Sequence, residues 1–285
     1  MDLLKQTKFL IKKTGLKPDK LKGQNFCIEQ KVIEEMIKAA NISPQDTIIE
    51  VGPGFGFLTD KLCNKTKEVI AVELDKKLFK IVKNLEKFYN NLQAIEGDIL
   101  KLKMENLLSR KRTVEKFQNY KIVANLPYAI SSVFLKKFLT SDFKPQAMTL
   151  LLQKEVAQRI CAAPGKMSLL ALSIQLYSKP VLIKIISKES FWPVPQVDSA
   201  ILRIEKIHAF PFAKEVPEKV FWQVIRSGFC SKRKQLHNNL KNSLHLNTDQ
   251  LDKVFSQSQL NEKIRAQELS LKDWLKLAKS YNRLC

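Results

Sequence analysis

The sequence has few of the residues that build metal centres and disulfide frameworks. Its 285 residues include three histidines and five cysteines, and the cysteines are odd in number, scattered and without a Cys-x-x-Cys pair. Structural metal sites and disulfide scaffolds require such residues at short, regular intervals. The sequence therefore predicts reduced thiols and no bound metal.

Long apolar runs are missing as well. No stretch approaches the roughly 20 consecutive apolar residues that cross a bilayer, and lysines interrupt the apolar residues at the start of the chain too often for a secretory signal. The sequence also contains no internal repeat and no low-complexity tract. We therefore expect a soluble protein of the cytoplasm with no membrane partner.

Acidic residues are scarce relative to basic ones. The chain has 28 Asp and Glu against 49 Lys and Arg, which gives a formal net charge of +21. Residues 1–31 and 206–285 carry +5 and +8, whereas the much longer middle, 32–205, carries +8. This distribution favours nucleic-acid contacts on both flanks of an enzyme core, the alternative being a lysine-rich solvated surface.

From residue 47 to about 205, short apolar runs alternate with amphipathic segments, which predicts an α/β fold with a mostly parallel sheet. The last two candidate strands have only a turn between them, which predicts an antiparallel hairpin at the end of the sheet. The charged segment Met104–Asn119 predicts an insertion before the fourth strand. The candidate strands are Thr47–Val51, Val69–Glu73, Leu92–Ile95, Lys121–Ala124, Met148–Leu152, Val181–Ile186 and Ser199–Ile204.

After Pro211 and Pro217 the periodicity becomes helical, which predicts a small all-helical domain. We therefore expect a catalytic domain over 1–205, with the basic segment 1–31 at its start, and a helical RNA-binding domain over 206–285. The candidate helices are Val220–Phe229, Lys232–Leu244, Thr248–Phe255 and Leu271–Tyr281.

A glycine-rich turn, EVGPGFG at 50–56, follows the first candidate strand. Glycines let the backbone turn tightly and approach a ligand closely, although such turns also serve NAD, FAD or purely structural roles. Glu73 lies 21 residues after Gly52, at the end of the next strand. A carboxylate there can accept both ribose hydroxyls, so the pair predicts a bound nucleoside.

Asp98 follows the third candidate strand in the string EGD. Its carboxylate can accept a hydrogen bond from the exocyclic amine of adenine. The alternative is a cap for the segment that follows. With Gly52 and Glu73, it predicts three strand ends that converge on one nucleoside.

The fourth strand ends in Asn125-Leu126-Pro127-Tyr128. The lone pair of an aromatic amine is delocalised into its ring, so a methyl-transfer catalyst must draw both N–H bonds toward acceptors, such as an Asn oxygen and a backbone carbonyl. Pro127 fixes the backbone, and Tyr128 offers a ring on which an unstacked base can lie. We interpret the string as the catalytic loop of an amine methyltransferase.

Two further segments are candidates for substrate contact. In FWPVPQVDS, Phe191 could cover the second face of a flipped base, the alternative being a core aromatic. The segment 226–240 carries a basic cluster, defined as Arg226, Lys232, Arg233 and Lys234, which suits phosphate contact.

These motifs occur in the order seen in the rRNA adenine dimethyltransferases, which the chain resembles from about residue 20 to residue 280. The last motif is similar to the small-subunit branch, which acts on 16S rRNA, rather than to the branch that confers macrolide resistance through 23S rRNA. The motifs are Gly23-Gln24-Asn25-Phe26, EVGPGFG, the acid at 73, EGD, NLPY, FWPVPQVDS and FCSKRKQLHNNL.

The resemblance implies a Rossmann-like class I methyltransferase fold, with S-adenosylmethionine bound by Asn25, Cys27, Gly52, Glu73, Asp98 and Asn125. It also implies that Asn125 holds the target amine and that Tyr128 and Phe191 sandwich the adenine. The family usually has Leu where this chain has Cys27, a change that a backbone contact would tolerate. The implied reaction dimethylates two adjacent adenosines near the 3′ end of 16S rRNA in the assembling small subunit, and we expect a monomer.

Three other functions remain open from the sequence, of which the nearest is a 23S rRNA adenine methyltransferase. A non-catalytic assembly or transcription factor could keep this fold, although the intact NLPY and Glu73 favour chemistry. A nicotinamide-dependent oxidoreductase would use the glycine-rich turn but would leave NLPY and the basic cluster without a purpose.

Overall fold

The structure is a computed structural model that describes residues 2–19, 23–108, 120–231 and 233–284. Its chain divides into two compact units, Met1–Ala157 with Ser178–Ile207, and Gln158–Tyr177 with His208–Cys285. The first unit ends close to the domain boundary predicted at 205. Segment 158–177, which the sequence assigned to the first domain, packs with the second unit.

The first unit is built on a seven-stranded sheet with the order β4-β3-β2-β5-β6-β9-β7. The strands from β4 to β6 are parallel, while β9 is antiparallel to both β6 and β7. This arrangement confirms the predicted mostly parallel sheet and the antiparallel pair at its end. The strands are β2 (Thr47–Val51), β3 (Glu68–Glu73), β4 (Leu92–Glu96), β5 (Tyr120–Asn125), β6 (Ala147–Gln153), β7 (Lys179–Ile186) and β9 (Ser199–Glu205).

Nearly continuous apolar residues form the central strands because helices bury both faces of the sheet. Ile48, Ile49, Val69 and Ile122 are all buried in these strands. The helices before or between the strands are α1 (Leu3–Thr14), α2 (Gln30–Ala40), α3 (Phe57–Cys63), α4 (Lys76–Leu85), α5 (Met104–Leu108), α6 (Ser131–Thr140) and α7 (Lys154–Ile160). Only the part of the predicted insertion up to Leu108 is among the described residues.

A two-stranded antiparallel pair joins distant parts of the first unit. β1 (Phe26–Cys27) pairs with β8 (Phe191–Trp192), so that Phe26 faces Trp192 and Cys27 faces Phe191. Two-residue strands give no periodic signal, so this pair could not be predicted from the sequence. The pair brings the GQNF segment beside the FWPVPQ segment.

The second unit is helical and has its own core. Phe221, Phe255 and Trp274 are fully buried there. Asn239 donates from Nδ2 to the carbonyl oxygens of Gly228 (2.7 Å) and Ser231 (2.9 Å), which fixes the turn between two helices. The helices are α8 (Leu169–Gln175), α9 (Glu218–Gly228), α10 (Leu236–Leu244), α11 (Thr248–Ser258) and α12 (Leu271–Asn282).

Among the described residues, none of the helices combines the length and the apolar content that crossing a membrane requires. The same residues contain no group of three or more His, Cys, Asp or Glu side chains that could hold a metal ion.

Candidate active site at the carboxyl edge of the sheet

Five neighbouring parallel strands place four polar residues and one glycine at one edge of the sheet. In spatial order these are Asp98 after β4, Glu73 at the end of β3, Gly52 after β2, Asn125 at the end of β5 and Gln153 at the end of β6. Carboxyl ends of parallel strands meet at the same edge, where α/β proteins bind their ligands. The structure thus brings together the four strand ends chosen from the sequence and adds Gln153, which has no motif signal.

Glu73 is held rigidly by the glycine-rich turn. Its side chain is 6% exposed, Oε2 accepts the N–H of Gly54 at 3.1 Å, and Oε1 accepts the N–H of Asp75 at 2.9 Å. Burial raises the pKa of this carboxyl, while the two backbone hydrogen bonds act to lower it. Each oxygen keeps a second lone pair, so the pair of ribose hydroxyls predicted for this site could still be accepted.

Gly52 forms the floor of the adjoining cleft. Its φ of +66° favours glycine, and a Cβ built there would meet only the Asn125 carbonyl oxygen, at 3.7 Å. The residue lines three adjacent cavities, so that such a Cβ would project into the cleft. The turn therefore leaves space for a ligand against the backbone.

Glu50 lies in β2, just before the same turn, and the sequence did not predict a role for it. It is 1% exposed, and its Oε2 has no hydrogen-bond partner among the described residues. Burial raises its pKa to about 8. It lines a small cavity together with Gly52, Cys27 and Asn125, so one buried carboxyl oxygen without a hydrogen-bond partner adjoins the predicted cofactor residues.

Asp98 closes a turn, as the alternative interpretation of the sequence proposed. Its Oδ1 accepts the N–H of Leu100 at 2.9 Å, and Oδ2 lies 4.0 Å from the exposed Lys101 amine. It also lines a cavity of about 270 Å³ with Gly52 and Glu73. Capping and ligand contact are compatible because the carboxylate has further lone pairs.

Lys137 of α6 supports the turn after Asp98. Its amine donates to the carbonyl oxygens of Ile99 (2.9 Å), Leu100 (2.9 Å) and Leu102 (2.7 Å). Burial lowers the pKa of this lysine. One side chain thus links the helix that follows the NLPY loop to the loop that carries Asp98.

Asn125 has a fixed amide and a free oxygen. Its Nδ2 donates to the Asn25 carbonyl oxygen at 3.1 Å, which assigns the amide orientation, and Oδ1 accepts no hydrogen bond from any described residue. The next residue, Leu126, is buried and donates its N–H to the Leu151 carbonyl oxygen at 3.1 Å. Asn125 and Pro127 both line the cavity that contains Glu73.

Tyr128, the last residue of the NLPY string, lines a different cavity from Asn125 and Pro127. It begins a 3-10 turn, Tyr128–Ile130, and its hydroxyl is bonded to Ser199 Oγ at 2.8 Å. Tyr128 lines a second cavity of about 380 Å³, hereafter the acceptor cavity, whose other lining residues are Gly23, Asn25, Ala129, Gln153 and the segment 193–197. The predicted stacking residue therefore faces a space large enough for a base.

Phe191 is not among the described residues that line the acceptor cavity. It is 1% exposed and packs in the hydrophobic core with Val32, Leu151 and Ile201. The alternative interpretation, a core aromatic, describes its position in this structure. The stacking role stays a prediction.

The GQNF segment contacts the NLPY loop directly. Gly23, at a φ of +65°, leaves 3.4 Å between an ideal Cβ and the Tyr128 backbone nitrogen, so the two backbones pass closely. Cys27 lines the small cavity beside Glu50, and burial raises the pKa of its thiol to about 11. The thiol is therefore protonated at neutral pH, and the backbone contact with the donor stays a prediction for this position.

The described residues of the basic cluster, Arg226, Arg233 and Lys234, lie in the second unit and are exposed. Arg226 is on α9, whereas Arg233 and Lys234 lie in the turn before α10. The predicted start of this helix at Lys232 is therefore wrong, since α10 begins at Leu236. Lys232 itself lies outside the described residues.

The family model for ribosomal RNA adenine dimethylases matches residues 17–283 of the chain. Curated relatives named ribosomal RNA small subunit methyltransferase A include one from Dehalococcoides mccartyi, 39% identical over 98% of this chain and 94% of the relative. Another, from Clostridium botulinum, is 36% identical over 95% of this chain and 97% of the relative.

Solved structures give the same comparison for the fold. A dimethyladenosine transferase from Plasmodium falciparum superposes with a TM-score of 0.75 and 28% identity, covering 90% of this chain and 96% of that one. The 23S rRNA methyltransferase ErmE gives a TM-score of 0.70 at 20% identity, over 90% of this chain and 100% of that one, which shows a shared fold alone.

Proposed function

The chain belongs to the ribosomal RNA adenine dimethylase family, and we propose that it dimethylates N6 of two adjacent adenosines near the 3′ end of 16S rRNA. It is an rRNA adenine methyltransferase that uses S-adenosylmethionine. The names of the relatives support the small ribosomal subunit as substrate, and with it a role in subunit biogenesis. We further propose a cytoplasmic monomer.

The observation that carries the catalytic proposal is the orientation of Asn125. The Asn25 carbonyl fixes the amide nitrogen, so that Oδ1 points away from its backbone partner and is free to accept an N–H of the target amine. With the Leu126 carbonyl as second acceptor, both N–H bonds can be drawn from the plane of the ring, which localises the lone pair on nitrogen. The methylated amine then loses its proton to solvent, and no strong general base is required.

The cleft fits the methyl donor on two observations. A Cβ at Gly52 would project into the cleft, and Glu50 leaves a buried carboxyl oxygen unpartnered beside it. Asp98, Glu73, Gly52 and Asn125 would hold the donor from its adenine to its methyl end, with Asn25 and Cys27 beside them. When bound, the donor supplies an electrophilic methyl group on a sulfonium.

The competing functions make different demands on these residues. A non-catalytic factor has no use for an oriented Asn125 or for the hydrogen bonds that fix Glu73. A 23S rRNA enzyme shares the fold, but the chain's relatives at 36% to 39% identity carry the small-subunit name.

Transfer of labelled methyl groups to under-methylated small subunits tests the proposal. We expect label in N6,N6-dimethyladenosine at two adjacent positions near the 3′ end of the small-subunit rRNA, located by primer extension. Large subunits serve as the control substrate. Calorimetric binding of S-adenosylmethionine without transfer to small subunits would contradict the proposal.

A further inference from the structure

Gln153, one of the amide side chains that line the acceptor cavity, has no part in the proposed chemistry. Gln153 is the last residue of β6, and it lines this cavity together with Tyr128. Its side chain is half-buried, and its amide forms no hydrogen bond with any residue in the described part of the chain. An amide that lines a cavity and bonds to no protein group is available to pair with a ligand.

The sheet register places this amide next to the catalytic loop. Asn125 pairs with Leu151, and Gln153 is two residues farther along β6. Since side chains two residues apart lie on the same face of a strand, Asn125 and Gln153 project from the same face of neighbouring strands. Gln153 also pairs with Ser199, whose hydroxyl is bonded to Tyr128 at 2.8 Å.

We propose that Gln153 is a specificity-determining residue, whose amide donates an N–H to a ring nitrogen beside the reactive amine of adenine. This proposal rests on the proposed function, because it requires an adenine on Tyr128 with its amine at Asn125. Adenine presents such an acceptor on either side of its amine, N1 or N7. Amide side chains recognise adenine in this way in other complexes, by pairing with its amine and a neighbouring ring nitrogen.

A second glutamine, Gln196, lines the same cavity but is placed differently. It lies in the loop between β8 and β9 and is exposed. Ordering an exposed loop side chain costs rotamer entropy, whereas Gln153 is fixed at its backbone by the ladder to β9. Gln196 is therefore the matched control: the same amide, in the same cavity, without the rigid support.

The experiment uses small subunits reconstituted with rRNA whose 3′ segment is synthetic. The two target positions carry adenosine, 1-deazaadenosine or 7-deazaadenosine, and kcat/KM is measured with labelled S-adenosylmethionine. We expect the kcat/KM of the native chain to be about tenfold or more lower on one of the two analogues than on adenosine. On adenosine, the kcat/KM of Gln153→Ala should be lower than that of the native chain by a similar factor, and on the impaired analogue the two should be equal. Gln196→Ala should keep the native ratio of kcat/KM between the substrates.

Equal losses for Gln153→Ala on all three substrates, or no loss on any, would overturn the proposal. Gln153→Glu provides a second variant of the same shape, and its carboxylate should repel the ring nitrogen and selectively impair adenosine. Unchanged calorimetric affinity for S-adenosylhomocysteine would show that both variants are folded. If the native chain transfers no methyl group to adenosine, the proposed function fails; if it does and the ratios are unselective, only the role of Gln153 fails.

Discussion

The carboxyl edge of the sheet and the basic cluster are fixed to very different degrees. At the edge, Glu73 and Asn125 are held by named backbone partners at 2.9 to 3.1 Å. In the cluster, Arg226, Arg233 and Lys234 are exposed and form no ion pair with any residue that the structure describes. A preorganised site loses function steeply when one atom is changed, whereas exposed charges act additively and are screened by salt.

The largest effect should come from Asn125→Ala. It removes the acceptor for the target amine, and loss of one oriented catalytic acceptor costs about a hundredfold to a thousandfold in kcat. Single-turnover rates on small subunits would measure the loss, and filter binding would measure RNA affinity. Comparable losses in both measurements would contradict the catalytic assignment.

Glu73→Gln should weaken binding of the methyl donor by about tenfold to a hundredfold. The substitution replaces an acceptor oxygen by a donor that faces the N–H of Gly54 or Asp75, leaving buried donors unpaired. Isothermal titration with S-adenosylhomocysteine measures the affinity. Glu68→Gln, at the start of the same strand, is the control and should bind as the native chain does.

Glu50→Gln should reduce the dependence of stability on pH. Burial raises the folded-state pKa of Glu50 to about 8, from 4.5. The folded state therefore binds more protons than the unfolded state, so the free energy of unfolding falls as pH rises from about 4.5 to about 8. Urea unfolding at pH 5, 6.5 and 8 should show a smaller fall in the free energy of unfolding for the variant than for the native chain. Part of the fall should remain in the variant, because the pKa of Glu73 is raised too. An unaltered slope would show that Glu50 is ionised in the fold.

Lys137→Met should weaken donor binding by about tenfold, because three carbonyl oxygens around the Asp98 turn lose their common donor. Lys136→Met removes the same charge from an exposed neighbour and should have no effect. Comparing S-adenosylhomocysteine with its inosine analogue tests the position of Asp98. If both variants bind the two ligands alike, Lys137 does not act through that turn.

The smallest effect should come from the basic cluster. Arg233→Ala with Lys234→Ala should lower affinity for small subunits several-fold at low salt and reduce the slope of log affinity against log salt by roughly one to two. The rate at saturating substrate should be unchanged. Lys272→Ala with Lys276→Ala removes equal charge from α12, and an equal loss there would mean that net charge alone drives binding.

The sequence predicted the main sheet strands to within about two residues, because buried parallel strands leave apolar runs that are visible locally. It could not predict pairs that depend on tertiary structure, such as Phe26 with Trp192. The same limit explains why the sequence could not show that Phe191 is buried in the core or that Gln153 lines the acceptor cavity. Whether a side chain faces a core or a cavity is decided by the register of distant strands. The late start of α10 has a local cause: Gly228 and Ser231 accept hydrogen bonds from Asn239, which holds a turn before the helix.

The strand order also sets the distances between the residues at the carboxyl edge of the sheet. From β4 to β6 there are four intervals, and at about 4.8 Å each they span about 19 Å. Along that distance the chain presents Asp98, Glu73, Gly52, Asn125 and Gln153 in turn, which is the order in which we propose that they contact the methyl donor and the acceptor base. Backbone hydrogen bonds between the strands fix these distances. The length of the chain before Tyr120, at the opposite edge of the sheet, can therefore vary without moving the residues of the site. An insertion within β2, β3 or β5 would instead misalign two ligands at once.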